Sequence, residues 1–242
     1  METDPIGLGY SPRAHLSSKS GRSRGQGVYI DPSCVVPSST TPGEDRVTTV
    51  ATSERRPRVE AAERILRAAV RCIVSSGASA LTMHEVAEEA GVSKGLIHYH
   101  FHDKETLLAR VVEWMTRSLV ARERAALAQS TPRHAIDDLW AWLSAELERG
   151  HVRVLLELAQ WRGVLVQRAI QVSCLERRDA AAASIEQLFA LLTLRPRVPA
   201  GLLADVVVPF VDGLAVATGI DSDFNARASF DVFWLSLLNL TE

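Results

Sequence analysis

Apolar residues fall into a helical rhythm from Pro57 to the end of the chain. Val59, Ala62, Leu66, Ala69, Val70 and Ile73 recur every three or four positions, which predicts a helix. Pro57 suits its first turn, where no backbone N–H is needed, and Gly77 suits its end. Thr82 and Glu85 have the spacing of a capping box, so a second helix starts there. It stops at Gly91, which tolerates the positive φ of a sharp turn. Ser93 then caps a short helix running to Phe101, and Asp103 caps a longer one carrying Leu107, Val111, Trp114, Met115 and Leu119. Further helices are predicted at 132–149, 151–161, 163–194, 199–218 and 223–240. Pro132 and Pro199 lie near starts, Gly150 at a break and Pro196 at a stop. No segment alternates as a strand would. The expected fold is all-α with about nine helices.

Residues 1–55 break this rhythm. Of these 55, 26 are Ser, Thr, Pro or Gly, too polar a mixture to offset the entropy of ordering, so a disordered tail is expected. The tail is either an arm that tracks DNA with Arg22 and Arg24 or a non-functional extension. The 242-residue chain carries a formal net charge of -2, which rules out a polycation and demands that any nucleic-acid binding be local. Its three cysteines, Cys34, Cys72 and Cys174, have no zinc-like or disulfide-framework spacing and fit a reducing cytoplasm. Apolar runs such as 202–210 are interrupted by Asp205 and Pro209, so no membrane span and no secretory signal are expected.

The chemistry concentrates in 82–101. Val86, Ala87, Ala90, Val92 and Ile97 are apolar around the Gly91 turn, which is the pattern of a helix-turn-helix. Lys94, Gly95, His98 and Tyr99 are then left facing outward. Lysines supply charge, Gly95 lets a backbone approach, and the hydroxyls of Thr82 and Ser93 sit at helix starts, where phosphates bind well. His98, His100 and His102 are two apart and do not share a helical face, so no metal site or other cofactor is expected.

Taken together, Leu81-Thr82, Val86-Ala87, Gly91-Val92-Ser93-Lys94-Gly95, Tyr99-His100-Phe101 and Lys104-Glu105-Thr106-Leu107-Leu108 resemble the TetR family of transcriptional regulators. The resemblance covers about 58–119. It implies a three-helix DNA-binding domain at 58–119 and a helical-bundle domain at 120–242 that binds an effector and dimerises. It also implies a homodimer on a palindromic double-stranded operator, more often as a repressor. Carried over by position, DNA contacts fall on Thr82, Ser93, Lys94, Gly95, His98, Tyr99, His100 and Lys104. His98 and His102 depart from the family's usual tyrosine and lysine. Because histidine titrates near neutral pH, they point to pH-sensitive affinity.

The second half holds Trp140, Trp142, Trp161 and Trp234, which with Trp114 make up the five tryptophans. An effector pocket is expected among Trp114, Trp140 or Trp142, Trp161 and Phe210, with Gln160 and Gln167 as polar contacts. Few charges fall on inward positions, which favours an apolar or aromatic effector. The helices at 199–218 and 223–240 carry more apolar surface than one bundle face needs, as a homodimer interface would. Asp205 and Asp212 are candidates for ion pairs across it. Two other classes are possible in principle: an all-helical adaptor without DNA readout, and an enzyme. No spacing assembles a catalytic set, so the enzyme has nothing positive behind it.

Overall fold

The apolar rhythm becomes nine helices among the residues described by a computed structural model, 50–241, with side chains described from 59. They are α1 (Val50–Ser76), α2 (Met83–Ala90), α3 (Lys94–His100), α4 (Lys104–Ala128), α5 (Ala135–Arg149), α6 (His151–Ala159), α7 (Val164–Leu191), α8 (Ala200–Ile220) and α9 (Ala226–Leu238). All lie in one unit of the chain, Arg46–Glu242. Residues 1–49, most of the expected tail with Arg22 and Arg24, lie outside the described residues.

Local chemistry fixes the boundaries in the first half. Thr82 Oγ1 accepts the Glu85 N–H at 3.2 Å and Glu85 Oε2 accepts the Thr82 N–H at 2.9 Å, which completes the capping box. Gly91 has φ 62°, and the Val92 N–H reaches back to the Ala87 carbonyl at 3.0 Å, so α2 ends in a left-handed cap. Asp103 Oδ1 accepts the Thr106 N–H at 2.7 Å, a bond that also holds this carboxyl below its ordinary pKa. The start of α1 differs from the expectation. The helix begins at Val50, so Pro57 is an internal residue and 50–55 are helical rather than tail. Proline is disfavoured inside a helix, but 50–56 contain no glycine or second proline to delay the start.

The end of α7 also differs. The helix stops at Leu191 through a left-handed Thr193 (φ 59°), with the Leu194 N–H donated to the Phe189 carbonyl at 2.9 Å. Pro196 lies beyond the stop, in an isolated bridge to Thr241. A β-branched residue at positive φ is strained, and Thr193 is exposed. Thr193→Gly is therefore expected to stabilise the fold by about 1 kcal/mol, seen as a higher urea midpoint. A lower midpoint would mean that the threonine side chain contributes more than the strain costs.

The helices pack around two cores. The first joins α1, α2 and α3 to the start of α4, most of α6 and the first turns of α7. The second joins the rest of α4 and α7 to α5, α8 and α9. α4 and α7 pass through both, tied by a buried hydrogen bond between the Thr116 and Ser173 hydroxyls at 2.6 Å. Two carboxylates add to the join. Glu157 of α6 accepts the Ala78 N–H at 2.5 Å, and Glu105 of α4 accepts the Leu165 N–H at the start of α7 at 2.8 Å.

α8 is long and apolar enough to cross a membrane by length and composition alone (mean hydropathy 1.8), a test that core helices also pass. Its two aspartates are nevertheless engaged within the chain. Asp212 is held by Arg177 and Asp205 by Arg178, both on α7, so neither waits for an arginine across an interface.

Candidate nucleic-acid interface and interior cavity

α3 is oriented by one residue. Ile97 is fully buried in the first core, with Val86, Ala87 and Ala90 of α2 beside it. That anchoring leaves Lys94, Gly95, His98 and Tyr99 exposed on the other side. Tyr99 is 59% exposed, although a large aromatic ring is costly to leave in water unless it has a use. Ser93 Oγ accepts the Leu96 N–H at 3.2 Å, which leaves its own proton for an outside acceptor. A Cβ at Gly95 would meet only Ser93 Oγ, at 3.9 Å, so the fold itself does not demand glycine there. Close approach of an external backbone would.

Charge around α3 is sorted locally. The outward side of α2 is acidic, but Arg71 of α1 is 2.5 Å from Glu89, and His84 is 3.5 Å from Glu88. Lys94 has no carboxylate partner among the described residues, so its charge is available to a phosphate. His98 Nδ1 lies 3.2 Å from the His102 carbonyl. With the proton of a neutral ring on Nδ1, Nε2 is an acceptor, and it becomes a phosphate donor only when the ring is charged. His100 is half-buried, its ring 5.2 Å from Tyr99 and 6.1 Å from the buried Phe101.

Two of the expected contacts are already engaged. The Thr82 hydroxyl donates to Glu85 Oε2 at 3.0 Å, so its proton is spent inside the capping box. Lys104 donates to the Ser79 carbonyl at 2.9 Å and lies 5.2 Å from the centre of the Trp161 ring. Partial burial pushes its ammonium below the ordinary lysine value, with Glu85 acting in the opposite direction. Lys104 thus braces the reading domain against the segment before α7.

The second core contains a cavity of about 50 Å³ enclosed by α4, α5, α7, α8 and α9. Of the expected pocket residues, Trp142 and Phe210 line it. The other three do not. Trp114 packs on the first core with its ring 6.5 Å from His151. Trp140 turns to Phe230 at 5.1 Å and to Arg227, because residues two apart on a helix point to different sides. Trp161 sits under Lys104, and Gln167 donates to the carbonyls of Ala159 and Trp161, so neither reaches the cavity. The aromatic wall is instead completed by Phe230, Phe233 and Trp234, with Phe210 and Phe233 stacked at 3.8 Å.

The cavity is also less apolar than expected, since Glu123, Glu146 and Arg177 line it and all are buried. Glu146 receives Arg122 in a bidentate bridge (2.6 and 2.8 Å) and Arg149 at 2.6 Å, and His151 Nδ1 is 3.7 Å away. Burial alone would raise the pKa of this carboxyl. The neighbouring His151 ring and the Arg122 hydrogen bonds, with the charges of Arg122 and Arg149, outweigh burial and lower it to about 2. A sequence signal for Glu123 existed: it continues the buried face of Thr116, Leu119 and Leu127 at helical spacing.

Residues 65–111 match the family described as bacterial regulatory proteins, tetR family. The HTH-type transcriptional regulator BetI of Brucella suis is 27% identical over 166 residues, covering 68% of this chain and 83% of that protein. A TetR-family regulator from Agrobacterium tumefaciens has a similar fold, with a TM-score of 0.58 and 18% identity over 76% of this chain and all of that one. So does SmeT in its complex with triclosan, with a TM-score of 0.57 and 18% identity over 73% of this chain and 91% of that one.

Proposed function

We propose that the chain is a TetR-family, DNA-binding transcriptional regulator that acts as a homodimeric repressor, released from a palindromic operator by a small molecule held in the second core. The single observation that carries most weight is α3, anchored by Ile97 and presenting Lys94, His98 and Tyr99 to the outside. We assign DNA contact to Ser93, Lys94, Gly95, His98, Tyr99 and His100. Thr82 and Lys104 are assigned mainly to holding the reading domain in shape, because the Thr82 proton is spent on Glu85 and Lys104 is tied to the Ser79 carbonyl and the Trp161 ring.

The domain division at 119/120 falls within the continuous α4, so a ligand in the second core touches the same helix that buttresses α3. Dimerisation is assigned to α8 and α9. Leu202, Val206, Val216 and Ile220 form an exposed apolar stripe on α8, and Val232 and Leu235 extend it on α9. Gly213 lies in the same stripe with open space beyond it, which allows close helix approach. Two such faces suit an isologous four-helix interface. The triclosan complex of SmeT, a protein of similar fold, supports a small-molecule ligand for this chain, and we place the regulator in the bacterial cytoplasm beside its DNA.

Footprinting on the DNA upstream of the protein's own gene tests the proposal. The expected result is a protected palindrome whose half-sites are spaced for two α3 helices about 34–36 Å apart. Binding without any preferred sequence would sink the specific-repressor assignment.

A further inference from the structure

One end of the interior cavity is polar, and the regulatory role alone does not explain it. Glu123 of α4 is only 6% exposed and has no ion pair among the described residues. Its cationic neighbour Arg177 is committed to Asp212 through two nitrogens. Burial pushes the Glu123 carboxyl up, and the Ser184 hydroxyl with the charges of Arg177 and Arg124 does not cancel this. On α5, Trp142 lines the same cavity, and its Nε1–H is buried without an acceptor among the described residues. The Arg122–Glu146 bridge pins α4 to α5 beside both groups. The buried N–H costs free energy while unpaired, and the Glu123 carboxyl, bonded to the Ser184 hydroxyl, still has acceptor capacity to spare.

The charged groups at this end already have partners within the protein. Arg177 offsets Asp212, Arg122 and Arg149 hold Glu146, and the charges of Arg177 and Arg124 act on Glu123. An ionic ligand would leave one charge uncompensated in a low-dielectric interior. The remaining wall is aromatic, and planar rings pack well against it.

We infer that the cavity selects an uncharged aromatic molecule bearing one hydroxyl, a phenol or aromatic alcohol, whose oxygen accepts from Trp142 Nε1–H and whose proton is donated to Glu123. At about 50 Å³ the cavity is smaller than the void a benzene ring occupies, on the order of 150 Å³. Entry of the ring therefore requires the cavity wall to yield. This assignment rests on the cavity being the effector site proposed above.

The test uses the full chain and four probes that differ in one group: 4-propylphenol, propylbenzene, 4-propylbenzoate and 4-propylbenzylamine. Calorimetric titration is expected to show 4-propylphenol bound about tenfold tighter than each of the others. Trp142→Phe keeps the ring but removes the N–H, and Glu123→Leu removes the carboxyl without adding a polar group. Each is expected to erase most of the phenol's advantage over propylbenzene, measured for both probes on the same variant. Tighter binding of the benzoate or the amine would overturn the inference, as would equal binding of all four or none. A parallel operator-release assay separates the two assignments. If the phenol binds with the expected pattern and the operator stays bound, ligand control of DNA binding fails while the cavity's chemistry stands.

Discussion

Replacing Lys94 and Tyr99 together by alanine is expected to lower operator affinity by two orders of magnitude or more without unfolding the protein. Both side chains are exposed, and neither belongs to either core, so folded stability should change by no more than about 0.5 kcal/mol. A homodimer loses each contact twice. Four contacts at about 1 kcal/mol each correspond to roughly a thousandfold loss. The salt dependence isolates the lysine. Each phosphate neutralised contributes about 0.9 to the slope of log affinity against log salt, so Lys94→Ala should flatten that slope by about 2 per dimer. Tyr99→Ala should weaken binding and leave the slope alone. Fluorescence anisotropy across a series of potassium chloride concentrations reads both effects. An unchanged slope for Lys94→Ala would remove that residue from the interface.

The second large effect belongs to Glu146. Its side chain is fully buried and draws together Arg122, Arg149 and His151. Glu146→Gln keeps the shape but leaves the arginines facing a neutral amide, and breaking one side of a buried charge cluster is costly. Lowering a carboxyl from 4.5 to about 2 is a stabilising linkage. It is worth about 3 kcal/mol at neutral pH. The depressed folded-state value sets the sign. The contribution is fully present above the unfolded value of 4.5 and is lost as pH falls through the folded value near 2. Urea unfolding should therefore show wild type about 3 kcal/mol more stable than Glu146→Gln at pH 7, with the gap narrowing below pH 4.5. A gap that stayed constant down to pH 2.5 would show that the glutamine variant is destabilised by packing rather than by charge.

The parts of this molecule legible in its sequence are those decided within a few residues. Thr82 and Glu85 cap one another, Gly91 turns, Ser93 starts a helix and Ile97 points inward, each for reasons contained in a segment of 20 residues. The interior cavity is decided by how separate helices cross, which local spacing does not reveal. Trp140 and Trp142 look equivalent in the chain, yet only Trp142 reaches the cavity. Arg177 looks like a surface charge until α4, α7 and α8 enclose it. Helix ends set by a strained residue are likewise hidden, because Thr193 gives no hint of positive φ and Pro196 draws attention to the wrong position.

α4 is a single unbroken rod of 25 residues, one end buttressing α3 and the other walling the cavity. At 1.5 Å per residue it is roughly 37 Å long. Tilting such a rod by about 5° about one end sweeps the other through about 3 Å, close to the 3.4 Å rise of one base step. Angle is thereby exchanged for register: a rotation smaller than the scatter between ordinary helix-packing geometries suffices to carry a reading head from one rung of the DNA ladder to the next.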